Sequence, residues 1–92
     1  MNLRDKLKTA REKKGFSQAK LAKILGYSSG QFVSNWERGQ SYPPVDRLAK
    51  MSLLLNLDHE ELIKLYIVEL GEEKKKAFKK ALDFHISRLN SN

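Results

Sequence analysis

Apolar residues recur at steps of three and four along most of the chain, the period of helices with one buried face. Leu3, Leu7 and Ala10, with Arg11 beside them, predict a first helix from Asn2 to Lys14, ended at Gly15. Ser17 is placed to cap a second, whose Leu21, Ala22 and Leu25 face inward before Gly26 stops it. Val33 and Trp36 mark the inner side of a short third helix that ends before Gly39. Beyond the loop QSYPP, Pro44 suits the first position of a fourth helix, where its missing N–H costs nothing. Leu48, Met51, Ser52 and Leu55 follow at helical spacing, and Asn56 closes it. Asp58 and Glu61 form a D-x-x-E variant of the capping box. They open a fifth helix that is apolar almost all round from Leu62 to Leu70, which predicts burial on more than one side.

Gly71 separates that helix from a sixth, begun by two glutamates where the helix dipole favours acid. On it Phe78, Ala81, Leu82, His85, Ile86 and Leu89 span roughly 140° of a helical wheel, and Ala77 and Phe84 widen the arc to roughly 200°. One domain core rarely needs so wide an arc. Phe78, Leu82, Phe84, His85, Ile86 and Leu89 are therefore the expected dimer or partner surface. The tail, residues 90–92, is expected to fray. No segment reads as a strand. The predicted fold is all-α: a five-helix bundle in residues 1–70 and an added C-terminal amphipathic helix in residues 71–92.

Charge sharpens this division. Residues 1–57 hold eleven Lys or Arg against four Asp or Glu, whereas residues 58–92 hold seven of each. The whole net charge of +7 thus lies with the first four helices, which points to a polyanion as their partner. The chain has no cysteine, so disulfides, thiolate zinc sites and cysteine nucleophiles are excluded. No apolar run exceeds four residues (65–68), so neither a membrane span nor a signal peptide is expected, and the expected location is cytoplasmic, with the nucleoid. His59 and His85 stand 26 apart with no carboxylate or cysteine at ligand spacing. No paired carboxylates, activated nucleophile or phosphate-binding glycine loop can be assembled. The chain is not expected to be an enzyme or to need a cofactor or metal. The stacking aromatics typical of single-strand RNA readers are also missing.

A helix, a short turn and a second helix on a basic chain is the layout that sets a helix into the DNA major groove. The residues carry a more specific pattern: AR-x3-G-x-SQ-x2-LA-x2-LG from Ala10, then V-S-x-W-E-x-G from Val33, a proline, and L-x6-L from Leu48. Over roughly residues 3–65 this combination resembles the Cro/phage-repressor (XRE-type) helix-turn-helix family. The resemblance implies a five-helix DNA-binding domain, usually a two-fold dimer on a palindromic operator in double-stranded DNA.

Carried over by position, Gln31 and Asn35 match the base-reading residues; as amides four apart on one helical face, either can pair bidentately with adenine. Ser34 and Gly30 complete the expected base-contact set, Gly30 because a missing side chain permits close approach. Gln18 matches the glutamine that braces helix two against a phosphate. Ser28, Ser29, Arg38, Gln40, Ser41 and Tyr42 are the other expected phosphate contacts. Arg11 and Glu37 match an ion pair between helix one and the end of helix three.

The pattern is broken in one place. Nine residues separate Gly26 from Trp36, where the family usually has eight. Counted from Gly26, Ser28 caps helix three and Ser28-x-x-Gln31 is a capping box, the preferred alignment; counted from Trp36, Ser29 is the cap. The two alignments differ in whether Gln31 reaches back to the cap or forward to DNA. Phe32 stands where the family often has a small polar residue; it either packs beside helix two or touches a thymine methyl. The expected function is a sequence-specific dimeric regulator, a repressor. The alternative is a protein-interaction module (antitoxin, antirepressor or adaptor) that grips a protein partner through the C-terminal helix.

Overall fold

A computed structural model describes residues 2–90 and contains six α-helices among them: α1 (Leu3–Lys13), α2 (Gln18–Ile24), α3 (Gln31–Glu37), α4 (Val45–Leu54), α5 (His59–Leu70) and α6 (Lys75–Asn90). The all-helical expectation holds over these residues. Residues 91 and 92, expected to fray, lie outside them, and Asn90 is the last residue of α6. The chain divides between Pro43 and Pro44 into two compact units, α1 to α3 and α4 to α6.

Capping fixes most of the boundaries. The Asn2 side chain accepts from the Asp5 N–H, Ser17 Oγ from the Lys20 N–H at 3.0 Å, and Asp58 from the Glu60 N–H. Each satisfies an N–H that the helix itself leaves unpaired. Pro44 falls one residue earlier than expected. Its backbone is extended (ψ 151°), its carbonyl accepts from Leu48, and α4 starts at Val45. Asn56 adopts φ +59°, a left-handed conformation that asparagine tolerates, and this ends α4.

In the first unit, Leu3, Leu7, Leu21, Ala22, Leu25, Val33 and Trp36 are buried, the inward faces that the period predicts. The second unit corrects the sequence reading of its helices. The helix α6 packs along α4 and also meets α5. Phe78 (3% exposed) and Leu82 (0%) are core residues, and the Phe78 ring stacks on Tyr66 at 3.6 Å. They are not a surface for another protein, because α6 packs this face against α4 and α5. By contrast, Phe84 and Leu89 are exposed, His85 and Ile86 are half-buried, and no described residue after Leu82 is buried. Nor is α5 enclosed all round, since Val68 is 82% exposed. His59, which has no partner at ligand spacing in the sequence, has its Nε2 3.1 Å from Asp83 Oδ1 across the α5–α6 contact.

Candidate nucleic-acid interface

The first unit is locked by one buried cluster. Glu37, at the end of α3, accepts from Arg11 Nε at 2.7 Å and from the other arm of the guanidinium at 3.1 Å. Arg11 also donates to the Phe16 carbonyl at 2.6 Å, and Gln18 Nε2 donates to Glu37 Oε1 at 2.8 Å. The Arg11 and Glu37 side chains are only 9% and 6% exposed. A fork-to-fork pair with a further hydrogen bond on each partner is the arrangement in which burying two charges is most tolerable. It ties α1, the α1–α2 turn, the start of α2 and the end of α3 at one point. The expected ion pair is present. Gln18 braces α3 through it, and its amide keeps a second hydrogen for another acceptor.

The turn into α3 differs from the preferred sequence alignment. Ser28 does not cap, and no Ser28–Gln31 capping box forms. The helix begins at Gln31, with Gly30 at the cap position and no side-chain cap. Ser29 Oγ accepts from the Gln31 N–H at 3.3 Å, two residues on. Such a local turn competes with extending the helix backwards, so the extra residue relative to the family is absorbed in the turn. Gly30 is also not open toward a ligand where its side chain would be. A Cβ there would lie 3.1 Å from the Ala19 backbone nitrogen and 3.2 Å from its Cα. The glycine therefore serves close packing of α3 on α2 rather than a base contact. Gly30→Ala has no backbone conflict (φ −76°) and should cost about 1–3 kcal/mol through overpacking alone, measurable by urea unfolding.

With its side chain freed from capping, Gln31 runs along the outer face of α3. Its Nε2 donates to Asn35 Oδ1 at 2.9 Å, Arg38 donates to the same oxygen at 2.9 Å, and Arg38 also approaches Gln40 Oε1 at 3.5 Å. A guanidinium has no acceptor, so the Asn35 atom it meets is the carbonyl oxygen. That fixes both amides. The Asn35 NH2 group makes no hydrogen bond among the described residues, which leaves both its hydrogens for a ligand. Gln31 keeps Oε1 as an acceptor and one N–H as a donor. Ser34 is half-buried beside this row, and Ser28, Ser29, Gln40, Ser41 and Tyr42 are exposed in the flanking loops. Val33 and Trp36 hold the opposite side of α3 in the core.

One contributor carried no sequence pattern of its own. Arg4 donates to the Arg38 carbonyl at 3.1 Å, placing a cation at the C-terminal end of α3 where the helix dipole favours it. Gly39 has φ +76°, and a Cβ on it would fall 2.0 Å from Arg4 Nη1. The glycine both turns the chain and leaves room for the arginine. Only that glycine hinted at Arg4.

Among the described residues, no three histidine or acidic side chains gather to hold a metal, and no helix is long and apolar enough to cross a membrane. Comparison with curated proteins and with solved structures gives no match. A family model described as helix-turn-helix matches residues 7–62, more than half of the chain, including the whole of the α2–turn–α3 unit. That family consists of DNA-binding regulators rather than enzymes. The chain belongs to the Cro/phage-repressor, XRE-type helix-turn-helix family and is a DNA-binding transcription regulator.

Proposed function

We propose that the protein is a repressor that binds a palindromic operator as a homodimer in the cytoplasm, with α3 in the major groove. The observation that carries this reading is the row Gln31–Asn35–Arg38 on the outer face of α3, with its amides already oriented. Gln31 presents one acceptor and one donor, which matches adenine N6 and N7. Asn35 presents donors only, which matches the acceptors of guanine or thymine. Ser34 reaches a neighbouring base edge. Arg38, Gln18, Ser28, Ser29, Gln40, Ser41 and Tyr42 hold phosphates and set the register, as non-base contacts do.

A single module of this size buries only about 600–1,000 Å² on DNA, too little for tight specific binding alone. A dimer supplies the second half-site, centred about 10 bp away or a multiple of that. The C-terminal half of α6 is the pairing surface we assign. Past Leu82 it buries nothing, yet it exposes Phe84 and Leu89 and leaves His85 and Ile86 half-covered. The same feature supports the second reading, a module that grips another protein through α6. In either case the first unit carries the DNA contacts and the C-terminal half of α6 the protein contacts.

A salt series on random and selected duplexes tests the reading. A preferred palindromic site should keep its advantage over random DNA as salt rises. Equal binding of all duplexes, lost together, would reduce the reading to unspecific charge. Gln31→Ala should cost about 1–3 kcal/mol per half-site on the selected site and relax preference at one position in each. Arg38→Ala should lower the salt slope by about two, one phosphate contact per protomer, and, with the Asn35 amide no longer held, also relax preference at the base Asn35 meets. Sedimentation as a monomer at tens of micromolar, on and off DNA, would remove the dimer.

A further inference from the structure

We propose that Phe32 is a specificity residue of α3 and that its exposed ring reads the C5-methyl group of a thymine. The inference rests on the placement of α3 in the major groove argued above. Phe32 follows Gln31 in the first turn of the helix. At 100° per residue it stands about 100° from Gln31, about 60° from Asn35 and about 40° from the buried Trp36, at the border between the outward row and the buried side.

The ring is 49% exposed, yet it is held in place. It stacks on Tyr27 with centroids 4.4 Å apart and planes at 22°, and Tyr27 meets Trp36 edge-on at 5.8 Å. Trp36 is itself buried, so a column of three rings runs from the core to the surface and ends in Phe32. The packing foreseen from the sequence is thus against the turn residue Tyr27, and it covers only part of the ring. A phenyl ring fixed in this way loses little freedom when it meets a ligand, which favours binding.

The chemistry of the groove names the ligand. A phenyl ring can neither donate nor accept an ordinary hydrogen bond, so it gains nothing from purine edges, from the cytosine amine or from phosphate. The one apolar feature a base pair shows in the major groove is the thymine methyl. The surroundings argue against a protein partner at this point. Ser28, Ser29 and Gln31 beside it are polar and exposed, and in the first unit the other exposed large apolar side chain among the described residues is Tyr42. A protein interface buries about 800 Å² per partner around an apolar centre, and no such patch surrounds Phe32.

The test uses the full chain and the selected duplex, with each thymine replaced in turn by deoxyuridine, which removes only the methyl. At one pair of symmetry-related positions the wild-type protein should lose about fourfold per methyl, the worth of one buried carbon. Exchanging that T·A pair for C·G should lose more, and 5-methylcytosine in place of the cytosine should recover about the same factor. Phe32→Ala should still prefer the site but ignore the methyl at that position. Phe32→Leu, which keeps apolar bulk if loss of the Tyr27 stack weakens folding, should remain sensitive to it. A wild-type protein that prefers its site but is indifferent to every deoxyuridine overturns the role of Phe32 and leaves the reading of α3 intact. Full methyl dependence retained in Phe32→Ala overturns that role equally. A protein without preference for any duplex overturns the reading of α3, and this inference falls with it.

Discussion

Glu37→Ala should destabilise the chain by about 3–5 kcal/mol, the usual cost of leaving one partner of a buried ion pair alone. Glu37 takes three donors, two from Arg11 and one from Gln18, at 2.7 to 3.1 Å. Its removal leaves a guanidinium with 9% of its side chain exposed and only the Phe16 carbonyl as a strong partner. Domains of this kind are typically stable by only about 5–15 kcal/mol, so the change would remove a large share of the total. Guanidinium unfolding followed by far-ultraviolet circular dichroism measures the loss. The double change Arg11→Met, Glu37→Leu removes both charges and should cost much less than the two single changes added together. A double variant that costs as much as the two single changes added together would mean that packing volume, rather than charge pairing, holds α1 to α3.

This cluster was legible in the sequence only through a resemblance. Arg11 and Glu37 are 26 residues apart and no local rule joins them; the family pattern did. The helices themselves were legible from period and punctuation, because caps such as Ser17 and Asp58 act on N–H groups two or three residues away. The start of α3 was not. Ser28 and Ser29 offer nearly the same local chemistry, and the choice is made by the approach of Gly30 to the Ala19 backbone, a tertiary contact. The orientation of the Gln31 and Asn35 amides was hidden for a related reason. It is imposed by Arg38, a residue that the sequence assigned to phosphate alone.

The face of α6 is where the wheel misled most, and Phe78→Ala against Phe84→Ala decides the matter. Both are phenylalanines on one helix, and the arc drawn from sequence put both on a partner surface. In the structure Phe78 is 3% exposed and stacked on Tyr66, whereas Phe84 is 54% exposed, with the Arg88 guanidinium 5.6 Å from its ring centre. Phe78→Ala should therefore cost about 3–5 kcal/mol, the lost transfer energy plus a cavity under α6. Phe84→Ala should stay within about 0.5 kcal/mol of the parent in the monomer. The two should separate in the opposite sense when self-association is measured by sedimentation across a concentration series. Phe84→Ala should weaken the dimer while leaving the unfolding midpoint of dilute protein unchanged. Phe78→Ala should lower that midpoint at every concentration, because the residue acts through folding. Equal, large losses from both would place Phe84 in the core as well, and the protein contact would then have to be sought on the exposed side of α5 around Val68.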